Sequence, residues 1–536
     1  MKKLWTVFLA LVLVLSMTAI ATAEGGTTPA NTNTITAPNN GHTYEILQIF
    51  TGDLHQGTLA NLVWGVNGKD YGTLDKDDAS VPVPVPEETI AALMATEEQG
   101  ENATRTFIVN MLLNSAEALE TIGMVNGTFV ESATVPAGYY MIRDKADSLT
   151  GMNDSYTLYI VKVTGNVTIT PKADTPSLTK KIWDINDTNG VSSGWQDSAD
   201  YDIGDEVPYL LTATVANNFA SYKGAYKLVF HDEMEEGLTF QKDSVKVYIG
   251  DTLANEALLD PAQYTVTAAE DNHGFTLTID NLKTVTYGNG TEVKVGDKIC
   301  VSFSAELNDK AFIGAKGNLN TAYLEFANNP NSEQPEMGET PKDTVIAFTY
   351  QLVINKVHRV GDDLVPLTGA EFTLEKKFND TTWVKVDRVE VNKEGTDAGT
   401  VFTFKGLDDG EYRLTESKVP DGYNKMADVI FTVSAEHVSV VDDLSGAKRY
   451  EVLKSLTGNA VDGVITLNAT TTKETVDDEE KDVIEGLETK IENKSGAQLP
   501  ETGGIGTTIF YLLGGMMFVG AALILVVRRK AEADEN

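Results

Sequence analysis

Apolar and polar residues alternate in short runs along most of this chain, the two-residue period of a half-buried strand. The runs HTYEILQIF (42–50), YYMIRD (139–144) and YTLYIVKVTGNVTIT (156–170) are dense in β-branched and aromatic residues and predict strands. Between them, TRTFIVNMLLNSAEALETI (104–122) repeats its apolar residues every three or four positions, which predicts an amphipathic helix. The lead EGGTTPANTNTITAPNN (24–40) reads as a flexible arm. A first domain, β-rich with a helical insertion, therefore spans 24–172.

Two further series of strands follow. VPYLLTATV, YKLVF, SVKVYIG, FTLTID, KICVSFSAEL and NTAYLEF, separated by Gly/Asp/Asn turns, predict an antiparallel sandwich over 173–341, closed by the hydrophilic NNPNSEQPEMGETPKD. FTYQLVINKV, AEFTLEK, TVFTFKGL, GEYRLTE, DVIFTVS, GVITLNA and ETKIEN predict another over 342–494, with the acidic TVDDEEKDVIEG as a solvated loop before the last strand. The fold class is mainly β: tandem Ig-like sandwiches in an elongated rod.

The two ends do not fit this pattern. Met1-Lys2-Lys3, a short apolar run and Ala21-Thr22-Ala23 make residues 1–23 a secretory signal peptide. At 495–536, Leu499-Pro500-Glu501-Thr502-Gly503 precedes an apolar stretch, Thr507 to Val527, long enough to span a bilayer. Arg528-Arg529-Lys530 then stays cytoplasmic. A net charge of −37 excludes nucleic acid as a partner and docking on anionic membrane. One cysteine, Cys300, excludes an internal disulfide framework and reads as a small core residue. Six scattered histidines offer no metal cluster, and DINDTNGVSSGWQD (184–197) lacks calcium-loop spacing and reads as a turn. No metal, cofactor or catalytic constellation with turnover is expected.

Strand parity exposes the chemistry. Residues two apart share a face, so Leu352, Ile354 and Lys356 point together, as do Tyr412, Leu414 and Glu416, and Leu487, Thr489, Ile491 and Asn493. In the second domain Leu178, Lys180 and Ile182 share a face, as do Leu228, Phe230 and Asp232, and Asn320, Ala322, Leu324 and Phe326. Each domain thus places a lysine, an acid and an asparagine where apolar residues belong. Lys181, Asn318 and Asn328 remain alternatives in the second domain, and no comparable trio is evident in the first. Desolvation lowers a lysine's pKa and raises a carboxylic acid's. A neutral amine held against a carboxamide in a dry core, with an acid to shuttle protons, can condense with it and release ammonia. Each molecule does this once.

The residues carry a family resemblance. LPETG with its apolar run and basic tail resembles the cell-wall sorting signal of Gram-positive surface proteins, implying sortase cleavage after Thr502 and transfer of that residue to an amine. GEYRLTESKVPDGY (410–423) is similar to the E box of Gram-positive pilin subunits, Y-x-L-x-E-T-x-A-P-x-G-Y, with Ser417 for Thr and Val419 for Ala. That resemblance implies that Glu416 promotes a Lys356–Asn493 isopeptide bond in a CnaB-type domain. The second domain resembles the fimbrial isopeptide D2 (CnaA-type) module, implying that Asp232 does the same for Lys180 and Asn320. VTITPK (167–172) resembles the pilin motif, with Thr170 for the usual Tyr and no Trp, and makes Lys172 the acceptor of the next subunit. The resemblance implies the major, backbone subunit of a pilus, exported and held at the cell wall. Its partners would be pilus-type and housekeeping sortases, further copies of itself, accessory pilins and peptidoglycan. The alternative is a wall-anchored adhesin or a minor tip or basal pilin.

Overall fold

The structure, a computed structural model, describes residues 32–496 apart from 56, 98, 100–102, 104–105, 114–116, 171–173, 439–443, 445 and 462, with scattered positions between 512 and 524. The signal peptide (1–23), Lys172 and the sorting pentapeptide 499–503 lie outside the described residues. Among the described residues no helix is long and apolar enough to cross a membrane.

The first domain is built on the strand Thr43–His55, flanked by Gly138–Asp144 and Glu120–Val125. Tyr44 and Ile46 enter one core while Leu47 and Ile49 enter another, so this strand is buried on both faces and reads as nearly continuous hydrophobicity. Two expectations change here. The arm 24–40 contains a strand, Thr32–Thr36, paired antiparallel with Ser132–Pro136 and parallel with Val167–Thr168, because Ile35 finds a fully buried place. Of the helix expected over 104–122, Thr106 and Phe107 are α-helical and lead into a π-helical turn, Ile108–Leu112, but its tail becomes the strand Glu120–Val125. Hydrogen bonding to Thr43–His55 overrides the local period there. An α-helix, Glu87–Glu97, precedes this segment, begun by Pro86 and two glutamates that favour a helix N-terminus.

The loop after Gly138–Asp144 docks on the second domain: the amides of Gly151 and Tyr156 donate to Met337 and Asn328 carbonyls (3.1 and 2.8 Å), and Asn328 Nδ2 donates to Leu149 O (3.0 Å). Fully buried His42 secures that loop, with Nδ1 2.8 Å from Asp144 and Nε2 2.7 Å from Asp154. Burial opposes its charge, but the two aspartates outweigh burial and raise the pKa to about 9. A histidine raised above its usual 6.5 stabilises fully below that value and loses the contribution as pH climbs through about 9. The effect is on the order of 3 kcal/mol. Calorimetry should show the first-domain transition falling across that window in wild type and flat in His42→Gln; equal slopes would mean that His42 stays neutral in the fold.

The second domain is a two-sheet sandwich. One sheet runs Val191–Gln196, Leu178–Asn186, Glu206–Thr214, Lys298–Leu307, Leu238–Ile249; the facing one includes Asp343–Phe348, Asn318–Ala327, Leu228–Met234 and Gly274–Ile279. Asp343–Phe348 was expected beyond the boundary at 341, yet it pairs with Asn318–Ala327 and completes this sheet. NNPNSEQPEMGETPKD is therefore a loop within the domain, and it contains the short strand Met337–Glu339. The third domain starts at Tyr350–Val360, leaving Thr349, fully buried, as the linker between them. Its sheets are Val389–Val391, Val401–Leu407, Tyr350–Val360, Glu479–Asn493, Asn468–Val476 against Thr382–Lys385, Glu371–Phe378, Gly410–Lys418, Val429–His437, Leu453–Ala460. The acidic run is no loop but the tip of a hairpin, turned by Asp477 and Asp478 at φ 52° and 61°.

Candidate functional site

In the third domain Tyr350–Val360 and Glu479–Asn493, its first and last strands, lie side by side and parallel, with Lys356 opposite Ile491 and His358 opposite Asn493. Glu416 comes from Gly410–Lys418 in the facing sheet. Lys356 and Glu416 are fully buried and Asn493 is 2% exposed. Lys356 Nζ contacts Asn493 Oδ1 and lies 2.9 Å from Glu416 Oε1, which also accepts from Asn493 Nδ2 at 2.7 Å. One carboxylate oxygen thus touches both the amine and the amide nitrogen. The other accepts from the Met426 amide at 3.1 Å, which fixes the carboxylate's orientation. Burial lowers the Lys356 pKa against the opposing pull of Glu416, so the neutral, nucleophilic amine is more accessible than in water.

The second domain assembles its trio differently. Lys180 stands on one sheet, while Asp232 and Asn320 stand on adjacent strands of the other, with Asp232 opposite Ala322 and Asn320 opposite Met234. The alternatives are otherwise engaged. Lys181 turns outward to Asp197. Asn318 donates to the Phe312 and Ala347 carbonyls, and Asn328 faces the first domain. Lys180 Nζ contacts Asp232 Oδ2, both side chains at zero exposure, beneath the rings of Tyr209 and Phe303 (5.2 and 5.0 Å to the centroids). Burial lowers the Lys180 pKa and raises that of Asp232. Both shifts favour the neutral amine and the protonated acid. Asn320 is not on the domain's last strand, since Met337–Glu339 and Asp343–Phe348 follow it, and a bond here would join the two sheets rather than neighbouring strands.

A third buried lysine escaped the sequence reading. Lys376, 1% exposed, follows Phe372 and Leu374 by the same parity rule. Its Nζ lies 2.8 Å from Asp187 and from Asp202 of the second domain and contacts Asp408 of its own. With Asp205 these carboxylates form a group close enough to hold a cation, and the Lys376 ammonium sits among three of them. Burial opposes its charge, but Asp408, Asp202 and Asp187 outweigh it and raise its pKa. Lys376 therefore stays an ammonium ion where Lys180 and Lys356 are pushed toward the amine. On another side of the junction, Arg449 spans Glu235 bidentately (2.7 and 2.8 Å) and donates to the Lys316 and Gly317 carbonyls.

Comparison with known proteins bears on both ends of the third domain. Residues 351–445 match SpaA, a prealbumin-like fold domain, and residues 491–534 match the LPXTG cell wall anchor motif. The first match contains Lys356 and Glu416; the second contains Asn493 and the pentapeptide 499–503. The chain is 26% identical over 408 residues to the trypsin-resistant surface T6 protein of Streptococcus pyogenes serotype M6, covering 67% of this chain and 70% of that protein. Among solved structures it is similar to the T6 backbone pilin of serotype M6 Streptococcus pyogenes (19% identity, 87% of this chain, 93% of that one, TM-score 0.46). It is also similar to the full-length major pilin SpaD from Corynebacterium diphtheriae (19% identity, 73% of this chain, 88% of that one, TM-score 0.40).

Proposed function

We propose that this chain is the backbone subunit of a sortase-assembled pilus, a structural protein of the Gram-positive cell wall and not an enzyme. The observation that carries the reading is the cell wall anchor motif at the C-terminal end of a chain resembling a trypsin-resistant surface protein over two thirds of its length. Sortase recognises Leu499-Pro500-Glu501-Thr502-Gly503, takes Thr502 as an acyl group and passes it to Lys172 of another copy. Repetition yields a covalent head-to-tail fibre. Accessory pilins join by the same chemistry, and a housekeeping sortase transfers the finished fibre to peptidoglycan.

Two internal bonds make each subunit fit for that fibre. Lys356 condenses with Asn493 through Glu416, and Lys180 with Asn320 through Asp232. The first bond would let tension entering at Tyr350–Val360 leave at Glu479–Asn493 without loading the strands between them. A crosslink of this kind also constrains the unfolded chain, as a disulfide does. The relative's trypsin resistance is what such bonds would produce, since a protease needs a segment to open before it cuts.

Coexpression with a pilus sortase tests the assembly. Wild type should give a ladder resistant to boiling in SDS, and Lys172→Ala should give monomer alone. A ladder surviving that change would move the acceptor to another lysine. A wild type that never polymerises would make the protein a wall-anchored adhesin or a minor pilin.

A further inference from the structure

A polar atom buried without a partner costs free energy, so each one calls for an explanation. Four such atoms belong to the Lys180 site: Asp232 Oδ1, Nδ2 and Oδ1 of Asn320, and the hydroxyl of Tyr209. In the third domain's trio, by contrast, Lys356, Glu416 and Asn493 all have partners. Tyr209 stands on Glu206–Thr214, opposite Ile182, and so shares the inward face of Lys180 one pair away. It is fully buried, stacked on Phe303 at 5.4 Å between centroids, with its ring 5.2 Å from Lys180 Nζ. Its hydroxyl and the Asp232 carboxylate each lie near enough to the Asn320 side chain to interact with it, without reaching hydrogen-bond geometry. Burial first, then Asp232, pushes its pKa well above the usual value, so the phenol keeps its proton.

We propose that Tyr209 is a catalytic residue of the second-domain condensation, a donor that closes on Asn320 Oδ1 as negative charge develops there. The inference rests on the reading that Lys180 and Asn320 condense. In that reaction the Lys180 ammonium gives a proton to the Asp232 carboxylate, and the freed amine attacks Cγ of Asn320. The carbonyl electron pair moves onto Oδ1, where the Tyr209 hydroxyl meets it. Asp232 gives its proton to Nδ2 and takes one from the attacking nitrogen. The C–Nδ2 bond breaks, ammonia leaves, the carbonyl re-forms and Asp232 remains protonated, so atoms and charge balance. A donor aimed at the place where charge appears, rather than engaged in the ground state, is what favours a transition state over a reactant.

The test is a time course. The mature chain, made by cell-free synthesis and sampled by intact mass with peptide mapping of the 180–320 crosslink, should lose the second-domain ammonia about 10²- to 10³-fold more slowly in Tyr209→Phe than in wild type. The third-domain ammonia should leave at the same rate in both. Phenylalanine keeps the ring packing, and in an Asp232→Ala background Tyr209→Phe should leave the melting temperature unchanged, separating the hydroxyl's chemistry from any structural role. Equal rates for the 180–320 crosslink in the two chains would overturn the role of Tyr209 while leaving the bond itself standing. A slow Tyr209→Phe reaction accompanied by a lower melting temperature in the Asp232→Ala background would also overturn it, in favour of packing. A wild type that never forms the 180–320 crosslink would remove the reading on which the inference rests.

Discussion

Glu416→Ala should yield a mature chain heavier by one ammonia than wild type, after correction for the substitution, and Asp232→Ala should do the same in the second domain. Wild type should be short of two. Among the described residues Glu416 is the only acid whose oxygen touches both Lys356 Nζ and Asn493 Nδ2, so its loss removes the group that would carry the proton from one nitrogen to the other. The stability loss should be on the order of 3–5 kcal/mol, from the missing crosslink and a buried amine stripped of its carboxylate. Asn493→Ala separates these parts: it prevents the bond but keeps the Lys356–Glu416 contact, so it should fall between wild type and Glu416→Ala. Trypsin digestion should follow the same order. A wild type with the full, uncondensed mass would reduce both trios to ordinary polar core groups.

Lys376→Met, by contrast, should leave the mass deficit at two and still destabilise the chain severely. It keeps the aliphatic stem but removes the ammonium from among Asp187, Asp202 and Asp408, a loss of about 3–5 kcal/mol for a broken buried ion pair. The sign of its pH dependence follows from the carboxylates. Burial raises Asp200, Asp202, Asp408 and Asp409 above the usual 3.8, so the fold binds more protons than the unfolded chain. Stability then falls as pH rises through that raised range, more steeply without the compensating ammonium. Denaturation of the substituted chain at about pH 5 and about pH 8 should show the larger deficit at the higher value. A melt like wild type at both would mean that Arg449 and the buried Thr349 hold the junction unaided.

Lys356, Glu416 and Asn493 were legible in the sequence because a strand has a two-residue period: a polar residue in step with leucines and isoleucines must face inward whatever the sheet order. Lys376 obeyed the same rule beside Leu374 and went unread, since its partners come largely from another domain and no local pattern links residue 376 to residues 187 and 202. The preference for Lys180 over Lys181, and for Asn320 over Asn318, needed the facing sheet, because adjacent lysines and alternating asparagines satisfy a pattern equally well until one lysine meets a buried carboxylate and the other a half-exposed one, and one asparagine is held by backbone carbonyls.

By itself, then, the sequence determined the β class, the three groups of strands, the sorting signal and most inward-facing chemistry, all of which depend on local period or short motifs. Tertiary structure decided the rest. It turned the tail of the apparent helix 104–122 into a paired strand, drew Asp343–Phe348 into the second domain, and left Thr349 as the linker to the third. Those outcomes rest on which strand edge offers backbone partners and which neighbouring surface excludes water. Both are properties of distant parts of the chain brought together.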